Sequence, residues 1–242
     1  MVQLPQTLEQ AVEQAQAATK AAIADGLTRL QVELVFPELK VMPIAQQFVT
    51  AFEDQAETLR VFFADPGAAA LARRDWGEVA YPMRGIGELK ATIEPHERLF
   101  LFIAPSSVEV GQVEQLCEQV GDRPVVLFNP QLEDVAIIGI GYAGRQLRER
   151  FLNQFQACYY LRPLEGAALL RCYPSPWQVW IERLEGTYEL VAEVEEKPVG
   201  EALDRLLSQQ ATQHLSDQSS KQSPRRSGMF ASLKSFLRAL NQ

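Results

Sequence analysis

The 242-residue chain is long enough to bury a sizeable core, and with 47% hydrophobic and 22% charged residues its composition is that of a globular domain. Its longest nearly charge-free apolar run, Val135–Gly144, is well short of the ~20 residues a membrane span needs, and the opening residues lack the basic start and apolar core of a signal peptide, so a cytoplasmic protein is expected. A net charge of −8 hides an asymmetry: residues 217–242 hold one acid and five bases, leaving −12 on the rest, and so acidic a body is not expected to bind nucleic acid.

Taken in chain order, Thr7 and Gln10 form a capping-box pattern. Apolar residues at helical spacing follow from Leu8 to Ile23, and Asp25-Gly26 ends the run. RLQVELVF alternates, with Leu30, Val32, Leu34 and Phe36 on one face, as a strand covered on one side would. Pro43 suits a first helical turn, and Ala45, Phe48, Val49, Phe52 and Ala56 make an apolar stripe, predicting a helix over 41–56. Further helices are expected over 67–76 and 108–120.

Four apolar runs end next to a proline: at Pro37, Pro66, Pro105 and Pro130. Proline extends its predecessor and cannot donate to a ladder, so each marks a strand leaving a sheet. Strands alternating with helices of this length imply crossover connections. After a helix with Leu147, Phe151 and Phe155 inward, four apolar segments follow with short turns between them, Glu165-Gly166 and Glu185-Gly186 among them. The expected fold is therefore α/β, a mainly parallel layered sheet with helices followed by antiparallel C-terminal strands. It would form a single domain over residues 1–207, including a last helix in VGEALDRLL. A disordered polar linker is expected over 208–228 and a short amphipathic basic helix over 229–242.

Chemistry-bearing residues are sparse. Cys117, Cys158 and Cys172 are too scattered for a zinc cage or a disulfide framework and read as buried thiols, and only His96 and His214 are available for histidine chemistry. No metal site, cofactor or catalytic residue is expected. Gly139, Gly141 and Gly144 have the spacing of a dinucleotide cradle, which would make the chain an NAD(P)-binding oxidoreductase. The segment after the following helix turns straight back as a hairpin, however, so the second βα unit of an adenosine site is missing. A turn that starts a helix is the preferred reading.

Ligands of open parallel sheets gather beyond the strands' carboxyl ends, which here means Glu38, Asp65, Ser106, Ser107, Asn129 and Asp134. Asp65 and the serines also read as helix caps, and Asn129-Pro130 as a turn. In YPSPWQVW, Trp177 and Trp180 would face opposite sides of a strand: one as an exposed protein-binding anchor, or both packed at a sheet corner. Phe230, Leu233, Phe236, Leu237 and Leu240 share one helical face near the C-terminus, with Lys234 and Arg238 away from it. Such a helix forms when a partner groove, a lipid interface or its own body buries that face.

The order of motifs resembles a known family. VELVFPEL, LFIAPSS, VVLFNPQL, GRQLRERFLNQFQACYYLRPL and CYPSPWQVWIE followed by TYELVAEVEEKP are similar, over about residues 5–207, to an uncharacterised domain family of cyanobacteria and plastids. That family includes the low photosystem II accumulation type assembly factor, and a similar domain is fused to some plastid adenylate kinases. The resemblance implies a non-catalytic factor that assists photosystem II assembly around the CP43-type chlorophyll protein. Its expected partners are a membrane-protein client or other assembly factors and, through the tail, an anionic thylakoid surface. The kinase fusions imply an alternative, a regulatory nucleotide-binding module at the strand ends around Asp65 and Asn129.

Overall fold

A computed structural model describes residues 2–88, 92–132, 142–183 and 186–208. The capping residues at Thr7 act as the sequence predicts: Thr7 Oγ1 accepts from Gln10 N at 3.2 Å and starts α1, Leu8–Ala24. The Gln10 side chain reaches back one residue further than a standard box, accepting from Gln6 N at 2.7 Å. Strand β1, Arg29–Leu34, follows with every second residue buried. The predicted 41–56 helix divides into α2, Val41–Val49, and a 3-10 stretch, Thr50–Thr58. At the junction the Thr50 hydroxyl donates to Gln47 O at 2.7 Å and competes for a helical carbonyl. The apolar stripe survives the change of geometry, since Ala45, Phe48, Val49, Phe52 and Ala56 are all buried.

Strand β2, Leu59–Phe63, then leads through α3, Pro66–Asp75, to β3, Met83–Gly85. This three-residue edge strand is too short to show a period and was not expected from the sequence. Its Gly85 is pressed against the chain at the start of α3, where an added Cβ would lie 2.4 Å from Pro66 N. Strand β4, Leu99–Ile103, α4, Val110–Val120, and β5, Val125–Phe128, complete the alternation. Helix α5, Tyr142–Arg150, leads into β6, Gln156–Leu164, and then into β7, Ala167–Cys172, β8, Trp177–Glu182, and β9, Tyr188–Val194. Residues 201–208 are helical.

Among the described residues these strands form one sheet of order β3-β2-β4-β5-β1-β6-β7-β8-β9. Pairings from β3 to β6 are all parallel, and those from β6 to β9 all antiparallel. The α/β expectation, with a parallel part followed by antiparallel strands, holds.

One face carries a continuous core, in which α1, α2, the Thr50–Thr58 stretch and α3 pack on both halves of the sheet. The other face carries two separate clusters. One packs α4, Leu147 of α5 and the Phe151–Phe155 segment on β2, β4 and β5, and the other packs Leu203, Leu206 and Leu207 on β6 to β9. Between those two clusters lies the second face of β1.

Candidate functional site

The central strand differs from β2, β4 and β5. β2, β4 and β5 are buried at every residue, as parallel strands covered on both faces are. β1 stands fifth of the nine strands, yet its pattern is half-buried and buried in alternation. Leu30, Val32 and Leu34 face the continuous core, which puts Arg29, Gln31 and Glu33 on the side between the two clusters.

Arg29 is fully engaged in structure: its guanidinium donates to Thr28 O and Arg123 O at 2.9 and 3.0 Å, and also to Cys117 O and Gly121 O at the end of α4. It closes that end of the strand's polar face. Gln31 and Glu33 instead form the floor of a trench of about 530 Å³, and Gln31 Nε2 donates to Glu33 Oε1 at 2.8 Å. One side of the trench is apolar, built of Leu127, Leu132, Leu152 and Phe155 from the α4 cluster.

On the other side stands Lys197, whose ammonium lies 3.9 Å from the ring centre of Tyr160 and 5.5 Å from that of Trp177. Two aromatic faces thus hold this cation in place. Burial raises the Tyr160 phenol above its ordinary range, and Glu33, opposite it in the ladder, pushes in the same direction.

The trench continues into a second crevice of about 380 Å³ past the carboxyl ends of β1 and β5, with Glu33, Pro130 and Gln131 common to both. There the chain from β1 leaves for α2 on the continuous-core face, while the chain from β5 passes Leu132 in the opposite cluster. This divergence of adjacent parallel strands is a topological switch point, the place where open α/β sheets bind ligands.

Of the strand-end residues singled out in the sequence, Glu38 and Asn129 line this crevice. Asn129 sits at φ 46° and its side chain takes over from the strand backbone: Oδ1 accepts from Leu34 N at 2.7 Å and Nδ2 donates to Leu34 O at 3.2 Å. Asp65 and Ser106 lie at other strand ends. Asp65 caps α3, accepting from Ala68 N at 2.9 Å. The Ser106 hydroxyl donates to Glu109 Oε2 at 2.6 Å and accepts from Val108 N at 3.2 Å. Ser107 follows in the same turn, half-buried. Asp134 lies outside the described residues.

Gly139 and Gly141 also lie outside the described residues, and Gly144 is in α5. The strand that α5 feeds, β6, turns back at once to pair antiparallel with β7, as the sequence led us to expect. Trp177 and Trp180 occupy opposite faces, in different clusters, and at 7% and 9% exposure neither ring is displayed as an anchor. Trp180 instead lines a groove of about 830 Å³ between the N-terminal segment, α1 and β9.

The three thiols are buried and free. Burial pushes Cys117 up to about 12 and Cys158 and Cys172 to about 11, far from a reactive thiolate at neutral pH. The tail residues Phe230, Leu233, Lys234, Phe236, Leu237, Arg238 and Leu240 lie outside the described residues. Among the described residues, no helix is long and apolar enough to cross a membrane.

Gln31, Glu33 and Lys197 were not singled out in the sequence. The alternation of RLQVEL places the first two on an uncovered face, but alternation does not tell a solvent-facing edge from a trench at the middle of a sheet. Lys197 is brought in by the return of the chain after β9, for which the sequence carries no local signal.

No solved structure matches the chain. A family profile described as a domain of unknown function, DUF1995, matches residues 5–205, which takes in α1, all nine strands and the switch-point trench. The chain belongs to the DUF1995 family.

Proposed function

We propose that this protein is a non-catalytic assembly or interaction factor. Its α/β body recognises a membrane-protein client, and its basic amphipathic tail holds it at an anionic membrane surface. The observation that carries this reading is the engagement of Asp65, Ser106 and Asn129 in the fold's own hydrogen bonds, at the strand ends where a reaction centre of this architecture would stand. The elevated thiols argue the same way, because a nucleophilic cysteine needs a lowered pKa.

The sequence resemblance supplies the finer part of the proposal: the client is the CP43-type chlorophyll protein of photosystem II and the surface is the thylakoid. The nicotinamide alternative loses ground because β6 doubles back where a coenzyme site needs another crossover. The nucleotide alternative meets Glu33 and Glu38 at the crevice, whose carboxylates oppose a polyphosphate.

Flotation with anionic vesicles tests the tail. The full-length chain is expected to float and a chain ending at Ser216 to stay behind, and equal flotation of both would remove the tail from the proposal. Direct binding of the chain to solubilised CP43-type chlorophyll protein tests the client, with failure to bind at micromolar concentration counting against it.

A further inference from the structure

We propose that the groove of about 830 Å³ beside α1 is the docking site of this chain's own C-terminal amphipathic segment, residues 229–242. The docked face is the one that the membrane reading offers to lipid, so the two compete, but the docking itself stands without that reading.

Its first support is a gap in the helical layer. Strands lie about 4.8 Å apart and helices pack about 8–10 Å apart, so one helix covers about two strands. On the continuous-core face α1 packs mainly on β1, β6 and β7. Among the described residues no helix follows it over β8 and β9, and the groove takes that place, with the N-terminal segment along one side. Buried Leu4 and Trp180 and half-buried Leu190 give it an apolar floor. Gln10, Glu13, Gln14 and Ala17 form its α1 wall, a stripe at helical spacing that α1 does not bury in the core.

The second support is reach. The helix over 201–208 packs Leu203, Leu206 and Leu207 on the opposite face of β6 to β9, so the chain continues from the same end of the sheet as the groove. Twenty residues, 209–228, follow it, and a coil of that length spans roughly 25 Å. Passing round the edge strand β9 from one helical layer to the other takes about 20 Å, at about 10 Å for each packed layer. Residues 229–242 come next and would be about 21 Å long as a helix.

The third support is chemical match. Phe230, Leu233, Phe236, Leu237 and Leu240 supply one apolar face for the floor, and Lys234 and Arg238, one turn apart, supply a basic flank. Glu9 and Glu13 are also one turn apart, exposed on α1, with Glu13 in the groove wall. Lys20 lies over the Phe52 ring, outside the groove lining, and Glu189 is already paired with Arg183 at 2.6 Å. The residues beside the lining that lie outside the described ones, Met1 and 184–185, bring the amino terminus and Glu185, whose charges offset each other. The groove therefore suits a basic amphipathic helix.

Hydrogen exchange of the full-length chain, with no vesicles present, tests this. The linker holds the segment at an effective concentration of about 1 mM, so a site of ~0.1 mM affinity should slow exchange across 229–242 about tenfold relative to an unstructured chain. Ala17→Arg, at an exposed position of the groove wall, should remove that protection, as should Phe236→Asp in the segment. Glu9→Lys with Glu13→Lys should weaken it, and adding Lys234→Glu with Arg238→Glu should restore it. The proposal is overturned if the segment exchanges at the unstructured rate, if Ala17→Arg leaves it protected, if the charge swap restores nothing, or if protection is lost on dilution, which would put the segment on a second copy. The wild-type rate and its dilution series decide the matter even where a variant fails to fold. With lipid absent, failure to float and failure to protect are separate results.

Discussion

Asn129 shows how one side chain serves in place of a strand. The chain turns away from β5 at a left-handed backbone conformation, which asparagine tolerates better than most residues. Had the turn come without a polar side chain, the N–H and C=O of Leu34 would both have lost their partner. The carboxamide satisfies both, at 2.7 and 3.2 Å. Asn129→Ala should therefore cost about 1–3 kcal/mol from the unpaired backbone groups, with added strain from alanine in that conformation. Asn129→Asp keeps the acceptor but sets a carboxylate oxygen against Leu34 O, so it should recover only part of the loss. Denaturant unfolding of the two variants measures both, and wild-type stability in Asn129→Ala would show that the side chain is incidental.

Between elements, the strongest polar link is a buried pair at the amino ends of β2 and β4. Arg60 Nε donates to Glu97 Oε1 at 2.6 Å with the two residues 5% and 1% exposed, and Glu97 Oε2 accepts from Glu94 N at 2.8 Å. Glu97→Ala leaves a guanidinium buried without its carboxylate, for an expected loss of about 3–5 kcal/mol. Replacing both partners with apolar residues, Arg60→Met with Glu97→Leu, should recover most of it, because the desolvation of two charges goes with them. If the double variant is as unstable as the single one, the pair holds the strands through geometry that apolar packing does not reproduce. Nothing in the sequence joined these residues, since a pair 37 positions apart leaves no periodic trace. The elements themselves were legible for the opposite reason. Four strands end against proline and Thr7 caps its helix, and both signals act within a few residues. Neighbour order in the sheet is a long-range property, so the alternation of β1 disclosed one covered face without showing that the other face lies at the molecule's centre.

At the scale of the whole molecule, the acids buried in the sheet and against it set how the fold meets alkali. Cys117, Cys158 and Cys172 belong to the cores on both faces, and burial holds their thiols at about 12, 11 and 11. Tyr81 is pushed up to about 12, and Tyr159, in the continuous core, stands well above its ordinary value. An unfolded chain ionises thiols near about 8.5 and phenols near about 10. Below those values both states keep their protons and the full contribution to stability is present. Above them the unfolded chain releases protons that the folded one retains, so unfolding becomes easier with each step in pH. The contribution is lost as pH rises through the folded values, to about 12. Because these groups pack in the cores on both faces of the sheet, unfolding should be one cooperative transition whose midpoint in denaturant falls steadily from about pH 9 upward. Circular dichroism and thiol reactivity should report the same midpoint. Thiol modification at pH 8 without loss of ellipticity would mean that the cysteines open locally, and that burial of the sheet does not govern their titration.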